Sequence, residues 1–199
     1  MSETSGGQSV GENRLVVGIT GASGVILGIR LLEMLRLLDI ESHLVISPAG
    51  RATIAQETTW KINAVLDLAN VTYREHDIGA AIASGSFSTM GMVICPCSIK
   101  TLSAVANSYT DSLIARAADV TLKEGRRLLL VVREAPLHAG HIRLMSEAAQ
   151  AGAIIFPPVP AFYTHPKTVD DLINNIVGRI LKRMGIENEV YTRWEGMDV

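Results

Sequence analysis

The sequence predicts an α/β fold: a three-layer, doubly wound, mostly parallel sheet with helices on both faces. Three observations carry this. Short β-rich apolar runs alternate with segments of helical period, the pattern of successive strand–helix–strand crossovers. The 199 residues suit one sizeable domain better than two. Hydrophobic residues make up 48% of the chain against 19% charged, enough to cover a sheet on both faces.

Residues 15–19 read as the first strand. Residues 25–38 place Leu27, Leu31, Leu35 and Leu38 at helical spacing. A second strand covers 43–46, and a short helix starts at Pro48, because proline suits a first helical turn. Residues 63–73 are expected to hold a helical turn and a third strand. Strongly apolar strands cover 92–95 and 128–132, and a sixth is expected at 153–156. Helices are expected over 102–106, 112–123, 137–150 and 169–184.

Residues 1–13 are polar and Gly/Ser-rich and lack the apolar core of a signal peptide, so a flexible tail is expected there. Residues 14–186 form the expected single domain. Residues 187–199 are expected to be a poorly packed tail or an arm reaching a neighbouring subunit. No apolar run approaches the roughly 18 residues needed to span a bilayer, so a cytoplasmic protein with no membrane span is expected. The net charge of −2 gives no electrostatic reason for nucleic-acid binding.

Right-handed crossovers gather the strand-to-helix loops on one sheet edge, where open α/β sheets bind ligands. Gly18-Ile-Thr-Gly21-Ala22-Ser23-Gly24 is such a loop. Glycines admit a ligand phosphate close to the backbone, and helix-start amides favour its charge. The plain alternative is a tight turn that binds nothing. A nicotinamide-dependent reductase is the rival reading, but it wants an acid after strand two. His43-Leu-Val-Ile-Ser47-Pro48 has none. Its Tyr-x-x-x-Lys pair is matched in letters by Tyr163 and Lys167, yet Pro166 would break the helix carrying them.

A second loop, Ser98-Ile99-Lys100-Thr101, follows Cys95-Pro-Cys97. Alone, Ser98 reads as a helix cap. Paired with the glycine loop on the same edge, its hydroxyls and amides read as a phosphate or flavin site. Cys95 and Cys97 read as inert core thiols, and two thiols alone make no zinc site.

Arg116 and Lys123 are seven apart and share a helix face. For Arg116, pairing with Asp119 or Glu124 competes evenly with a ligand role. Arg179 sits amid Ile176, Val177 and Ile180, whereas Arg126, Arg127, Lys182 and Arg183 read as solvated charges. In Arg133-Glu134-Ala-Pro136, a charged pair closes a strand on the ligand edge and Pro136 is expected to start the next helix. Glu134 is either a general acid/base or the ion-pair partner of Arg133. His138 and His141 share a helical face, but no third ligand has metal-site spacing.

Together these residues resemble the UbiX-type flavin prenyltransferases, over about residues 14–194. The carrying motifs are Gly-Ile-Thr-Gly-Ala-Ser-Gly24, Ala83-Ser-Gly-Ser86, Cys-Pro-Cys-Ser-Ile-Lys-Thr101, Arg116-Ala-Ala-Asp-Val-Thr-Leu-Lys123, Val-Arg-Glu-Ala-Pro136 and Pro-Pro-Val-Pro-Ala-Phe-Tyr163. Each is weak alone; their order and combination are specific. The family was formerly described as decarboxylases acting on polyprenyl hydroxybenzoate.

The resemblance implies a flavodoxin-like or Rossmann-like subunit in a homo-oligomer, commonly a dodecamer, with sites at subunit interfaces. It implies FMN contacts from Gly21, Ala22, Ser23, Ser47, Ser98, Ile99, Lys100, Thr101 and Arg133. Dimethylallyl phosphate would be held by Ser84, Gly85, Arg116, Lys123, Tyr163 and Arg179. Glu57 and Glu134 match the family's functional carboxylates, with Ser23 and Lys123 beside them, and no metal is needed. Reduced FMN would attack through N5 and close onto C6, a proton passing to the phosphate or Glu134. The prenylated FMN would serve a UbiD-type decarboxylase, in ubiquinone synthesis or another pathway.

Some family members carry a tryptophan just before the position of Ala83; residues 75–82 here have no aromatic. Two alternatives stand beside this reading. An FMN-dependent cysteine-type decarboxylase would need an active-site histidine, matched only weakly by His76. A flavin carrier would have no use for Lys123, Tyr163 and Arg179.

Overall fold

A computed structural model describes residues 13–190. Most of the expected N-terminal tail, and the expected arm beyond residue 190, lie outside them. Among the described residues the order is β1 (Arg14–Ile19), α1 (Val25–Leu37), β2 (Glu41–Ile46), α2 (Pro48–Glu57), α3 (Ile62–Leu66), β3 (Val71–Tyr73), β4 (Gly91–Cys97), α4 (Ile99–Ala106), α5 (Leu113–Lys123), β5 (Arg127–Val132), α6 (Ala139–Gln150), β6 (Ile154–Ile155) and α7 (Val169–Met184). The strands form one sheet in the order β3-β2-β1-β4-β5-β6, every neighbouring pair parallel. The chain works outward from β1 to β3, returns to the middle at β4, and works outward again. That is a doubly wound, flavodoxin-like or Rossmann-like sheet with its switch point between β1 and β4.

Strand alternation splits the core. Leu15, Val17, Ile19, Val93, Cys95, Leu129 and Val131 pack with the buried faces of α1 and α7. Val16, Met92, Ile94, Cys97, Leu128, Leu130 and Val132 pack with α4, α5 and α6. Central strands apolar on both faces are what a covered parallel sheet requires.

Helix ends follow their caps. Thr168 and Asp171 form a capping box at the start of α7, Lys182 and Arg183 lie in its last turn, and Gly185 closes it at φ 86. The expected limits, 169–184, are therefore met. Helix α4 starts at Ile99 rather than 102, because Ser98 accepts from the Thr101 amide. Helix α6 starts at Ala139, not at Pro136 or Leu137. A proline first turn would need Ala135 as cap, which has no acceptor; His138 supplies one through Nδ1, 3.0 Å from the Gly140 amide. Strand β4 runs to Cys97, past the expected end at Cys95. Its register with β5 breaks between Ile94 and Cys97, where Pro96 has no amide to donate. Among the described residues, no helix is long and apolar enough to cross a membrane.

Candidate functional site at the switch point

From β1 the chain turns to one face of the sheet, and from β4 to the other, so a crevice opens beyond their carboxyl ends. Thr20 joins its two sides. Its buried hydroxyl donates to the Pro96 carbonyl at 2.8 Å and accepts from the Ser98 amide at 2.8 Å. Its own amide donates to the Pro96 carbonyl at 3.2 Å. The sequence reading passed over Thr20; the available signal was a hydroxyl continuing the apolar run of β1.

Beside this joint lies a cavity of about 480 Å³, within the usual range for small-molecule sites. The expected residues Gly21, Ser47, Ser98, Ile99, Lys100, Thr101 and Glu134 line it. Two helices begin there. Ser47 accepts from the Gly50 amide at 2.9 Å, and the Ser98 hydroxyl lies 3.1 Å from that of Thr101. Helix geometry gives the Ile99 and Lys100 amides no intrahelical acceptor, so the start of α4 suits an anion. Gly21 is sterically required, since a Cβ there would stand 2.4 Å from that of Ala49. Amides and an ammonium for a phosphate, with Ile99, Ala104 and Ala115 as apolar wall, fit FMN.

Glu75, Asp111 and Ser112 also line the cavity and were not expected. They sit in or next to loops whose approach the local pattern does not encode. Burial pushes the Glu75 carboxyl above its ordinary range, with Lys100 opposing and Asp111 adding to the shift.

Ser23, Glu57 and Arg133 form an adjoining group outside the cavity lining. Glu57, at the end of α2, accepts from the Gly24 amide at 2.8 Å. Burial works against its charge, but hydrogen bonds from the Ser23 hydroxyl and the Gly24 and Val25 amides, together with the Arg133 charge, hold its pKa below the ordinary value. The start of α1, expected to face a ligand phosphate, thus faces a carboxylate of the same chain, which complements the helix dipole equally well. Arg133 acts on Glu57, and among the described residues no ion pair joins it to Glu134. Glu134 is exposed on the cavity wall and accepts from its neighbour, the Ala135 amide, at 3.0 Å. With α6 starting later than expected, Glu134 is carried by a loop.

The residues expected to hold a prenyl phosphate are not gathered at this cavity. Ser112 and Ala115, at the start of α5, line it; Lys123 lies at the far end of that helix, about 12–16 Å further on at 1.5 Å per residue. Ser84 and Gly85 belong with Lys123: a Cβ on Gly85 would stand 2.9 Å from the Lys123 ammonium. Arg116 pairs with Asp119 at 3.3 Å, one of the two partners expected. Arg179 lies over the Phe156 ring, 5.7 Å from its centre, and Tyr163 is in a 3₁₀ turn, Phe162–Thr164, at 41% exposure. His165 adopts φ 51 after that turn, so no helix carries Tyr163 and Lys167 together.

Arg126, read as a solvated charge, instead donates to the Gly85 and Phe87 carbonyls, each at 2.7 Å. Arg127 likewise donates to the Met184 carbonyl at 2.8 Å. Cys95 and Cys97 are buried with thiols pushed far above their ordinary range, as core thiols should be. The His138 and His141 rings lie 3.6 Å apart, and His138 serves as a helix cap. Among the described residues, no three His, Cys, Asp or Glu side chains are grouped to hold a metal ion. His76 is exposed and does not line the cavity.

A parallel doubly wound sheet with two capped helix starts at its switch point defines a flavin-binding α/β protein, and the Flavoprotein family model matches residues 3–181. Escherichia coli K12 flavin prenyltransferase UbiX is 56% identical over 186 residues, 92% of this chain and 98% of the relative. The chain belongs to the UbiX-type flavin prenyltransferases. The crystal structure of AnUbiX (PadA1) in complex with FMN and dimethylallyl pyrophosphate superposes with a TM-score of 0.92 at 46% identity, covering 94% of this chain and all of that one. A dodecameric FMN-dependent UbiX-like decarboxylase from Escherichia coli O157:H7 gives 0.90 at 46% identity, covering 92% of this chain and 100% of the other. The FMN-dependent cysteine decarboxylase TvaF, at 14% identity and a TM-score of 0.58 over 71% of this chain and 88% of its own, shares the fold alone.

Proposed function

We propose that this chain joins a dimethylallyl group from dimethylallyl phosphate to reduced FMN, giving prenylated FMN, without a metal. The observation that carries this is the cavity at the switch point. Its Ser47 and Ser98 caps, α4 amides and Lys100 suit FMN, and Glu134 stands on its wall. Reduced FMN supplies the nucleophilic ring positions. The residues of the chain do the rest. Lys123, Arg116, Arg179 and Tyr163 stabilise charge on the departing phosphate, and Ser84 and Gly85 cradle it. Glu134 moves a proton between flavin and phosphate. Ser23, fixed by Glu57, orients the flavin edge, with Arg133 beside it. AnUbiX was crystallised with the pyrophosphate of the same prenyl group, and the monophosphate is the donor proposed here.

The separation of Lys123, Ser84 and Gly85 from the cavity supports a site shared between subunits. A homo-oligomer, and a dodecamer like the Escherichia coli relative, follows in this reading. A UbiD-type decarboxylase is the proposed recipient and the cytoplasm the proposed compartment. Residues 14–186 act as one domain with 187–199 as an arm. A cysteine-type decarboxylase is not supported, with His76 off the cavity. The test is phosphate release from dimethylallyl phosphate under anaerobic conditions. Release that depends on reduced FMN is expected; release without flavin, or none with it, would overturn the proposal.

A further inference from the structure

We infer that Arg126 is a positioning residue for the prenyl-donor phosphate, holding the loop of residues 84–87 so that Ser84 and Gly85 stay beside Lys123. The inference rests on the reading above, that these three residues hold that phosphate.

The loop has little structure of its own. It follows a 3₁₀ turn, Ala81–Ala83, and is tied by two turn bonds, Ser84 amide to Ala81 carbonyl at 3.1 Å and Phe87 amide to Ser84 carbonyl at 3.2 Å. Its far end is anchored through the Phe87 ring, with the Arg14 guanidinium 5.0 Å from the ring centre and the His43 ring 5.0 Å away edge-on. Between these ends, the half-buried Arg126 fork takes both the Gly85 and the Phe87 carbonyls at 2.7 Å. Charge-assisted bonds of this length are strong, and a fork fixes two acceptors at once.

What the fork does to the carbonyls matters for an anion. Carbonyl oxygens carry partial negative charge, and an incoming phosphate is repelled by any that face it. With the Gly85 and Phe87 carbonyls turned toward Arg126, the loop sets the Gly85 backbone against Lys123 and Glu124, and its Ser84 and Ser86 hydroxyls lie 2.9 Å apart. Without the fork, the Gly85 carbonyl is free to turn to the Lys123 ammonium and compete with the phosphate there.

Arg126 is also tied to the helix end that bears Lys123. Its amide donates to the Thr121 carbonyl at 2.9 Å across the turn at Gly125, φ 66. Lys123, Arg126 and the loop therefore hold one spacing. Glu124 pairs with Lys123 and lies against Gly85, so a donor phosphate reaching this ammonium displaces the Glu124 carboxylate from it.

The test uses the full FMN-loaded protein in anaerobic single turnovers at varied dimethylallyl phosphate. Arg126→Ala should raise the half-saturating donor concentration about tenfold, equivalent to roughly 1.4 kcal/mol. FMN affinity and assembly should stay unchanged. Arg126→Lys, which meets one carbonyl, should fall between. Lys123→Ala is the reference. If it raises half-saturation and Arg126→Ala does not, the role of Arg126 is overturned and the donor site stands. If Lys123→Ala changes nothing, the donor-site reading itself falls. Should Arg126→Ala fail to assemble, Arg126→Lys decides: weaker donor use at unchanged FMN affinity upholds the role, and equal loss of both reduces it to folding.

Discussion

The Thr20 hydroxyl stands 2.8 Å from the Ser98 amide and 2.8 Å from the Pro96 carbonyl, accepting from one and donating to the other. The Thr20 side chain is buried at the switch point, so its hydroxyl sets the distance between the glycine loop and the start of α4. Thr20→Val keeps the shape and removes both bonds. Leaving the half-buried Ser98 amide without its acceptor costs at most about 1–3 kcal/mol. FMN should bind roughly tenfold more weakly, and Thr20→Ser should restore it. Flavin fluorescence titration beside urea denaturation checks this; unchanged FMN affinity in Thr20→Val would contradict it.

Arg179 is proposed to hold the donor phosphate. Losing one charge-assisted contact should cost about 1.5–3 kcal/mol. Arg179→Ala should impair prenyl transfer much more than FMN binding. Equal loss of both, at unchanged assembly, would mean that Arg179 serves the flavin.

Glu134 lines the cavity, among the described residues has no ion pair with Arg133, and is the proposed proton carrier. Glu134→Gln keeps its size and most hydrogen bonds. It should fold, bind FMN and slow turnover about 10²–10⁴-fold. Single-turnover kinetics at the wild-type rate would remove the proton role.

Glu57 has a lowered pKa, so its contribution to stability is full above its ordinary value near 4.5 and is lost as the pH falls through the lowered one. In flavin-free protein, Glu57→Gln should be less stable than wild type by a constant amount from neutral pH down to about 4.5, and the gap should close below that. Urea midpoints across this range test it. A gap that closes already near neutral pH would assign the effect to another group.

The fold was legible because each main element carries its own signal. Alternating apolar runs give the strands, and Thr168 with Gly185 gives α7 its limits. Pro136 signals a helix start in the sequence, but the cap that begins α6 is supplied by His138, a histidine that no local capping pattern marks. Half the site was legible for the same local reasons: Gly21, Ser98 and Thr101 follow strand ends directly. Arg126 was not, because its acceptors lie 39 and 41 residues away in a loop with no periodicity. Glu57 and Ser47 came only through family resemblance, since their partners, Gly24 and the cavity, are made by tertiary packing.

Mass analysis of the flavin after anaerobic incubation with reduced FMN and dimethylallyl phosphate tests the central claim most directly. The flavin should gain the mass of one prenyl unit in the wild-type protein and should not gain it when the protein is omitted. Flavin recovered at its original mass, from protein that binds FMN and has its donor present, would contradict prenyl transfer at this site.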